Sequence, residues 1–281
     1  MSVDGIPTGS TRVLGIIGDP IAQARSPEVW TALFRLNGVD AVCVPMQVAP
    51  SRLGAFLEGA KALRNFLGLI VTIPHKAASL EHVATPTERA ARVGAVNVIR
   101  LTDDGAWTGD TVDGIGLVSG LRRRGQDPAG RRALVVGVGG AGTAIAFALA
   151  EAGAAEVAVF DVDRARAEDV SARVAATGTP SRVATPAAAG FDLVVNASPL
   201  GMAAEDPVPI VLDGVGPGCV VADVVVHPRM TRLLRDARER GCFTQPGVHM
   251  MDGQIAPMAA FLELGAGAWD ADAVARATGA S

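Results

Sequence analysis

Apolar residues recur along this chain in two alternating patterns: short continuous runs, and longer stretches with the spacing of an amphipathic helix. In the amino-terminal part the runs predict strands over residues 11–18, 41–48, 67–74 and 95–101, and the stretches predict helices over residues 27–38, 51–64 and 75–83. Because strands and helices alternate, we expect an α/β fold with a mostly parallel sheet that is covered on both faces.

Local signals set the limits of the first helix. Ser26 followed by Pro27 predicts a helix start, with Ser26 as the N-cap and proline in the first turn. Gly38 is the residue type that ends helices, and Asp104-Gly105 predicts a turn after the fourth strand.

The alternation resumes after a helical stretch at residues 113–125 and a turn-rich joint. Further strands are predicted over residues 133–137, 156–161, 181–184, 191–197, 219–226 and 242–245, and a last helix from Val248 to about Leu264. A chain of 281 residues suits two domains. We place the first at residues 1–112, completed by residues 247–281, and the second at residues 113–246.

Composition narrows the class of protein. With 49% hydrophobic and 19% charged residues and a net charge of −4, the chain is globular and shows no basic face for nucleic acid. The three cysteines are scattered, and the amino terminus lacks a signal-peptide pattern, so we expect a reduced, cytoplasmic protein. The uncharged stretch 133–150 is interrupted by glycines, which argues against a membrane span. The four histidines are isolated, and no metal site is predicted.

The segment GVGGAG at residues 137–142 fits a dinucleotide-binding loop between a strand and a helix. Gly137 permits a tight turn, Gly139 lets the backbone approach a pyrophosphate, and Gly142 lets the helix pack against the strand. Gly140 and Ala141 complete the loop at the helix N-terminus, where free N–H groups and the helix dipole favour an anion. We therefore predict a nicotinamide dinucleotide cofactor.

Asp161 ends the next predicted strand at the expected distance from this loop. Its carboxylate can accept hydrogen bonds from both ribose hydroxyls and repels a 2′-phosphate, and Val162 places no arginine beside it. The sequence therefore favours NAD, whereas Arg164 and Arg166 leave NADP open.

Eight blocks of the sequence resemble, in order and spacing, those of the shikimate dehydrogenase family: GDPIAQARSP (18–27), VTIPHK (71–76), GAVNVI (94–99), GDTVDG (109–114), GVGGAG (137–142), NASPLGM (196–202), HPRMT (227–231) and GVHMMDGQ (247–254). The resemblance covers nearly the whole chain. It implies an amino-terminal substrate domain, completed by the last helices, and a Rossmann domain that binds NAD or NADP.

The resemblance also implies an activity. The family transfers a hydride between the nicotinamide and a ring hydroxyl or ketone of shikimate, quinate or a related small cyclic acid, as in aromatic amino acid biosynthesis. It implies a small-molecule substrate. From charge and composition we expect no nucleic-acid or membrane partner, and since many oligomers are two-fold we expect a monomer or homodimer. Lys76 is the implied acid/base, paired with Asp113, because the alcohol proton must leave as the hydride leaves.

Further positions match the family's binding residues. The implied substrate contacts are Ser26, Thr72, Asn97 and Gln254, and the NASPLGM block adds Asn196 and Met202 on the cofactor side. Structural alternatives remain for three of the substrate positions: Ser26 as a helix cap, Asn97 as a residue that holds a turn, and Gln254 as a solvent-facing side chain.

The chain departs from the family pattern at several positions. Ala24 replaces a serine of the first loop, Ile70 replaces an asparagine and Val226 a tyrosine, while Thr111-Val112 stand before Asp113 in place of Asn-Thr. Each lost hydrogen bond to a charged group weakens binding by about 1–3 kcal/mol. We therefore expect an altered substrate, or else a cofactor-binding redox sensor or regulatory protein without turnover on shikimate.

Overall fold

The computed structural model describes residues 6–278, and contacts between residues divide the chain into two units. The first is Met1–Val112 together with Ile255–Ser281, and the second is Asp113–Gln254. The expected division differs in the placement of residues 247–254, which pack within the second unit. Glycines allow this packing: a Cβ on Gly116 would lie 2.5 Å from the carbonyl oxygen of Met250.

The first unit contains a six-stranded mixed sheet. In spatial order its strands are β2 (Ala41–Gln47), β1 (Arg12–Gly18), β3 (Phe66–Val71), β5 (Val98–Leu101), β6 (Trp107–Asp110) and β4 (Thr85–Pro86). β1, β2 and β3 are parallel, whereas β5 runs antiparallel to both β3 and β6. The carboxyl ends of β1, β3 and β6 and the amino end of β5 therefore lie at one edge of the sheet.

Helices cover this sheet and supply much of its core. They are α1 (Ser26–Leu36), α2 (Leu53–Ala60), α3 (Lys76–Leu80), α4 (Glu88–Val93), α10 (Ile255–Phe261) and α11 (Ala271–Thr278), with a short 3-10 helix at Pro50–Arg52. Trp107 packs in one core cluster with Leu57 and Leu69, and its ring nitrogen donates to the carbonyl of Leu57 at 3.2 Å. A second aromatic group joins the carboxyl-terminal segment to α1, where Trp269 lies 6.1 Å from both Trp30 and Phe34.

The second unit contains a wholly parallel six-stranded sheet. In spatial order its strands are β12 (Phe243–Gln245), β11 (Val220–Asp223), β10 (Leu193–Asn196), β7 (Arg132–Val136), β8 (Glu156–Phe160) and β9 (Ser181–Val183). Its helices are α5 (Asp113–Arg123), α6 (Gly140–Glu151), α7 (Arg164–Ala175), α8 (Arg232–Glu239) and α9 (Gly247–Gly253). The chain starts in the centre of the sheet, runs to one edge, and returns to build the other half. This doubly wound order is that of a Rossmann fold.

Fully buried strands explain the continuous apolar runs of the second unit. All four residues of β10 and of β11 are buried, and their side chains pack between helices on the two faces. Because neither face meets water, the strands show no alternation of polar and apolar residues. The predicted α/β fold class, with an amino-terminal α/β domain and a Rossmann domain, is confirmed.

The structure corrects several predicted elements. Ser26 is not the N-cap of α1, because the backbone at Arg25 is already helical and no side chain caps the helix. The third strand ends at Val71 rather than at residue 74, and the predicted last helix is broken into α9 and α10. β4, β6, α4, α8 and α11 were not predicted, and the two strands among them contain no continuous apolar run. No helix among residues 6–278 is both long and apolar enough to cross a membrane.

Candidate active site

Lys76 begins α3 at the carboxyl edge of the first unit's sheet, after the turn that follows β3. Thr72 starts this turn, and its N–H donates to the carbonyl of Ile17 at 2.9 Å. The carbonyl of Lys76 accepts from the N–H of Val96 at 3.0 Å. His75, 1% exposed, has Nε2 2.7 Å from the carbonyl oxygen of Val48. His75 therefore has a structural partner, and Lys76 is the half-buried titratable group of this turn.

Asn97 lies directly before β5 and so reaches the same edge. It is 2% exposed, and its carbonyl accepts from the N–H of Val71 at 2.8 Å. Its Oδ1 accepts from the N–H of Val112 at 3.0 Å. The side chain thus holds the segment after β6, as the structural alternative expected, while the same edge also carries Thr72 and Lys76.

Ser26, Asp113 and Gln254 are positioned by helices. Ser26 is the first residue of α1 and is half-buried after the loop that follows β1. Asp113 is the first residue of α5 and is 3% exposed. Gln254 follows α9 and is half-buried, with its side chain against Gly116 of α5. Asp113 and Gln254 belong to the second unit, whereas Ser26, Thr72, Lys76 and Asn97 belong to the first.

Two of the substituted positions lie in loops, and one lies in the sheet. Ala24 precedes α1 and Val226 follows β11, and both are half-buried. Ile70 is only 5% exposed and is paired with Ile16 on one side and Val98 on the other. Ile70 is therefore an interior residue of the sheet.

The glycine loop joins β7 to α6 in the second unit. Gly137 has a φ of 89°, which favours glycine, and a Cβ there would lie 2.8 Å from the nitrogen of Ser198. A Cβ on Gly142 would lie 1.8 Å from the carbonyl oxygen of Gly137. Gly139 precedes the helix and has open space where a Cβ would point. Gly140 and Ala141 form the first turn of α6, where the backbone N–H groups have no partner within the helix.

Asp161 follows β8 and connects to this loop. Its Oδ2 accepts from the N–H of Val138 at 2.8 Å, and its Oδ1 accepts from the N–H of Asp163 at 2.9 Å. Arg166 lies 3.6 Å from Asp161, and Val162 is 94% exposed. Asp163 caps α7, since its side chain accepts from the N–H of Arg166. The carboxylate retains lone pairs for ribose hydroxyls, so the loop and Asp161 fit a dinucleotide.

A buried polar cluster holds the segment after β10, and the sequence analysis did not identify it. Asn196 donates from Nδ2 to Asp223 at 3.0 Å, and Thr231 donates from Oγ1 to Asp223 at 2.7 Å. All three residues are 0% exposed. Oδ1 of Asn196 accepts from the Oγ of Ser198 at 2.7 Å, and Ser198 contacts Gly137. An aspartate inside the apolar run CVVADVVV was the available signal.

Burial dominates the electrostatics of this cluster. Removal from water raises the pKa of Asp223 from 3.8 to about 6, although hydrogen bonds from Thr231, Val225 and Asn196 act in the opposite direction. Met202, also predicted on the cofactor side, lies beyond Ser198 with 41% of its surface exposed. Among the residues that the structure describes, no group of three or more His, Cys, Asp or Glu side chains is arranged to hold a metal ion.

Comparisons with known proteins extend this picture. Residues 16–99 match the shikimate dehydrogenase substrate binding domain. The shikimate dehydrogenase (NADP(+)) of Rubrobacter xylanophilus is 39% identical over 261 residues, which are 89% of this chain and 90% of the relative. The shikimate 5-dehydrogenase of Listeria monocytogenes, solved with shikimate and NAD, is 28% identical, with a TM-score of 0.84 over 96% of this chain and 97% of the other.

A third protein is similar over the same length. The 5-ketofructose reductase of a Gluconobacter strain is 29% identical in its ligand-free form, with a TM-score of 0.83 over 95% of this chain and 97% of the other.

The doubly wound sheet, the glycine loop and Asp161 define a nicotinamide-dinucleotide-dependent oxidoreductase. Identity to curated relatives over nearly the full chain makes the class specific: this chain belongs to the shikimate dehydrogenase family. The comparisons support the predicted enzyme and not a cofactor-binding protein without turnover.

Proposed function

We propose that this chain catalyses reversible hydride transfer between a nicotinamide dinucleotide and a ring hydroxyl or ketone of shikimate or a closely related small acid. The observation that carries the proposal is the identity of 37–40% to several relatives named shikimate dehydrogenase (NADP(+)) over nearly their whole length. The residues at the carboxyl edges of the two sheets supply the chemistry.

Lys76 is the proposed acid/base. When bound, the nicotinamide supplies the hydride transfer, and the chain must supply the proton transfer. In oxidation the amine of Lys76 takes the hydroxyl proton of the substrate, and in reduction its ammonium returns that proton. Asp113 is proposed to orient the ammonium and to share the same hydroxyl. Lys76 suits this role by position, because it is half-buried and begins α3 at the carboxyl edge of the sheet.

Ser26, Thr72, Asn97 and Gln254 are the proposed substrate contacts. In the first unit, Thr72 and Asn97 border the edge that carries Lys76, which supports a shared role. The Oδ1 of Asn97 accepts from the N–H of Val112, and this bond fixes the orientation of the amide. On the cofactor side, Gly137, Gly139, Gly140, Ala141 and Gly142 are proposed to hold the pyrophosphate, with Asn196 and Met202 near the nicotinamide.

NAD is the proposed preferred cofactor, because Asp161 is the acidic residue at the ribose position and the exposed Val162 offers no charge for a 2′-phosphate. The names of the curated relatives favour NADP instead. Arg166 gives this second outcome a physical route, since its guanidinium lies 3.6 Å from Asp161 on the first turn of α7. A change in its rotamer could direct the charge to a phosphate.

The substrate itself is proposed to lie close to shikimate or quinate, with weaker selection for a carboxylate. Ala24 carries no hydroxyl in the loop before Ser26, and Val226 none after β11. Because one similar structure is a 5-ketofructose reductase, a neutral polyol ketone belongs among the compounds to be tested.

Initial rates decide between these possibilities when the absorbance of the reduced nicotinamide is followed. Shikimate, quinate and a neutral polyol are each paired with NAD⁺ and with NADP⁺, and 5-ketofructose with both reduced forms. Turnover of shikimate or quinate supports the proposal, and a preference of about tenfold or more for NAD⁺ supports the role of Asp161. The proposal fails if every pair is inactive while the reduced cofactor still binds.

A further inference from the structure

Arg89 of α4 and Asp110 of β6 form an ion pair beneath the carboxyl edge of the first unit's sheet. Nη2 of Arg89 donates to Oδ2 of Asp110. The side chain of Asp110 is only 7% exposed and that of Arg89 is 33% exposed. A carboxylate so far from water requires charged or hydrogen-bonded partners. The pair is therefore a built feature of the fold and not a chance contact at the surface.

The other carboxylate oxygen of Asp110 accepts two hydrogen bonds. Its Oδ1 accepts from Thr87 Oγ1 at 2.6 Å and from the N–H of Thr111 at 2.7 Å. Thr87 also caps α4, where its Oγ1 accepts from the N–H of Ala90 at 3.1 Å. One carboxylate thus ties the start of α4 to the end of β6.

Besides its ion pair with Asp110, Arg89 donates a hydrogen bond to the backbone. Its Nε donates to the carbonyl of Thr111 at 2.7 Å, while its Nη2 is bound to Asp110. The planar guanidinium therefore spans a side chain and the backbone of the following residue. This fixes both the position and the rotation of the peptide that leaves β6.

The fixed segment leads directly to two candidate site residues. The carbonyl of Asp110 accepts from the N–H of Asn97 at 2.8 Å, and the N–H of Val112 donates to Oδ1 of Asn97 at 3.0 Å. These bonds set the amide of Asn97, and Asp113 is the next residue of the chain. A shift of the segment would therefore move Asn97 and Asp113 together.

We propose that Arg89 and Asp110 are positioning residues for the reaction: they touch neither substrate nor cofactor, and they hold Asn97 and Asp113 in their working orientation. The inference rests on the proposed function, in which these two residues act on the substrate. Displacements of about 1 Å around a reacting group lower rates by about 100-fold. The Arg89–Asp110 pair can therefore affect the rate although it does not contact the reacting atoms.

Arg89→Lys separates positioning from charge neutralisation. A lysine can remain beside Asp110, but one ammonium cannot reproduce the planar fork that also reaches the carbonyl of Thr111. Asp110→Asn is the complementary variant, because its amide oxygen can still accept from Thr87 and Thr111 while Arg89 loses its carboxylate partner. Glu263→Gln is the matched control. It removes the carboxylate partner of Arg100 in the same unit, and that arginine keeps its bond to the carbonyl of Phe261 at 2.8 Å.

Each variant is measured in four ways: kcat and KM with the substrate that the wild type turns over, the Kd of the reduced cofactor, the melting temperature, and amide hydrogen exchange of the segment 110–112. We expect kcat/KM to fall by about 10- to 100-fold in Arg89→Lys and Asp110→Asn, with faster exchange of the segment. The cofactor Kd should stay within about twofold in both, and Glu263→Gln should resemble the wild type in every readout.

Two results would overturn the inference. The first is Arg89→Lys with wild-type kcat/KM and wild-type exchange, since charge alone would then suffice. The second is a loss of activity that is matched by equal losses of cofactor binding and of melting temperature, which would indicate a purely structural pair. If the wild type turns over no substrate, the proposed function fails, and the exchange of segment 110–112 alone decides whether the pair orders it.

Discussion

Asp223 is expected to make the stability of the protein depend on pH in the direction opposite to that of most carboxylates. Burial raises its pKa from 3.8 to about 6 in the folded protein. The folded state therefore holds a proton more tightly than the unfolded state does. The contribution of Asp223 is most favourable below the unfolded pKa and is lost as pH rises through about 6.

The magnitude follows from the size of the shift. A pKa change of one unit corresponds to 1.36 kcal/mol, so a rise from 3.8 to about 6 lowers the free energy of unfolding above pH 7 by about 3 kcal/mol. Between about pH 4.5 and pH 8, roughly 2 kcal/mol of this difference is observable, because Asp223 of the unfolded chain is already mostly ionised at the lower pH.

Asp223→Asn isolates this contribution. The amide is always neutral, its oxygen can accept from Asn196 and Val225, and its nitrogen can donate to Thr231. Urea unfolding of wild type and variant at about pH 4.5 and pH 8 gives a double difference in which all other titrating groups cancel. We expect the variant to gain about 2 kcal/mol relative to wild type between the two values of pH.

Asp206→Asn, in the segment that joins β10 to β11, is the control for an exposed carboxylate. The N–H groups of Ala203 and Gly201 hold the pKa of this exposed carboxyl below its usual value of 3.8, so the control should lose stability relative to wild type at the higher pH. If the unfolding free energies of wild type and Asp223→Asn change in parallel with pH, burial does not raise the pKa of Asp223 and the reasoning is wrong.

Two further predictions concern backbone space and an unpartnered hydroxyl. Gly142→Ala should lower the free energy of unfolding by about 1–3 kcal/mol, because its Cβ would collide with the carbonyl of Gly137. Gly139→Ala should leave stability unchanged and weaken cofactor binding. Urea titration measures the stability of both variants and fluorescence measures their cofactor binding; equal stabilities would contradict the packing around Gly142. Thr111→Val should raise the melting temperature, because the buried Oγ1 of Thr111 has no hydrogen-bond partner among the described residues. An unsatisfied buried hydroxyl lowers the free energy of unfolding by about 1–3 kcal/mol. A lower melting temperature would indicate a bound water or another partner.

Much of the fold could be predicted from the sequence, because buried strands and helices have characteristic patterns of apolar residues. The four central strands of the second unit are mostly buried, so they appear as continuous apolar runs, and they were predicted together with the two short outer strands. Short strands and helices show weaker hydrophobic patterns. The Asp104-Gly105 turn was predicted but the strand β6 after it was not, because its sequence, Trp-Thr-Gly-Asp, contains no apolar run. Helix α4 had its signals, Thr87 as N-cap and Gly94 at φ 79°, but only six residues between them.

The candidate site divides in the same way. The glycine loop is visible because spacing alone encodes its geometry, and the structure shows that a Cβ on Gly137 or Gly142 would collide with neighbouring atoms. Asp110 and Asp223 could not be found by spacing. The role of each aspartate is visible only in the structure, where the fold brings Arg89 to the buried carboxylate of Asp110 and Asn196 to that of Asp223. Ile70 shows the converse, since a change from the family pattern had suggested a pocket residue and the sheet buries it.

The central claim is that Lys76 is the acid/base of a dehydrogenase, and one pair of variants tests it most directly. Lys61 is the only other lysine of the chain and pairs with Glu58 at 2.8 Å, so Lys61→Met is a natural control for Lys76→Met. We measure kcat for both, together with the Kd of the reduced cofactor.

The account predicts that Lys76→Met lowers kcat by about 100- to 10,000-fold with cofactor affinity nearly unchanged, while Lys61→Met behaves as wild type. Wild-type turnover in Lys76→Met would contradict the account, because the proton transfer would then have another source.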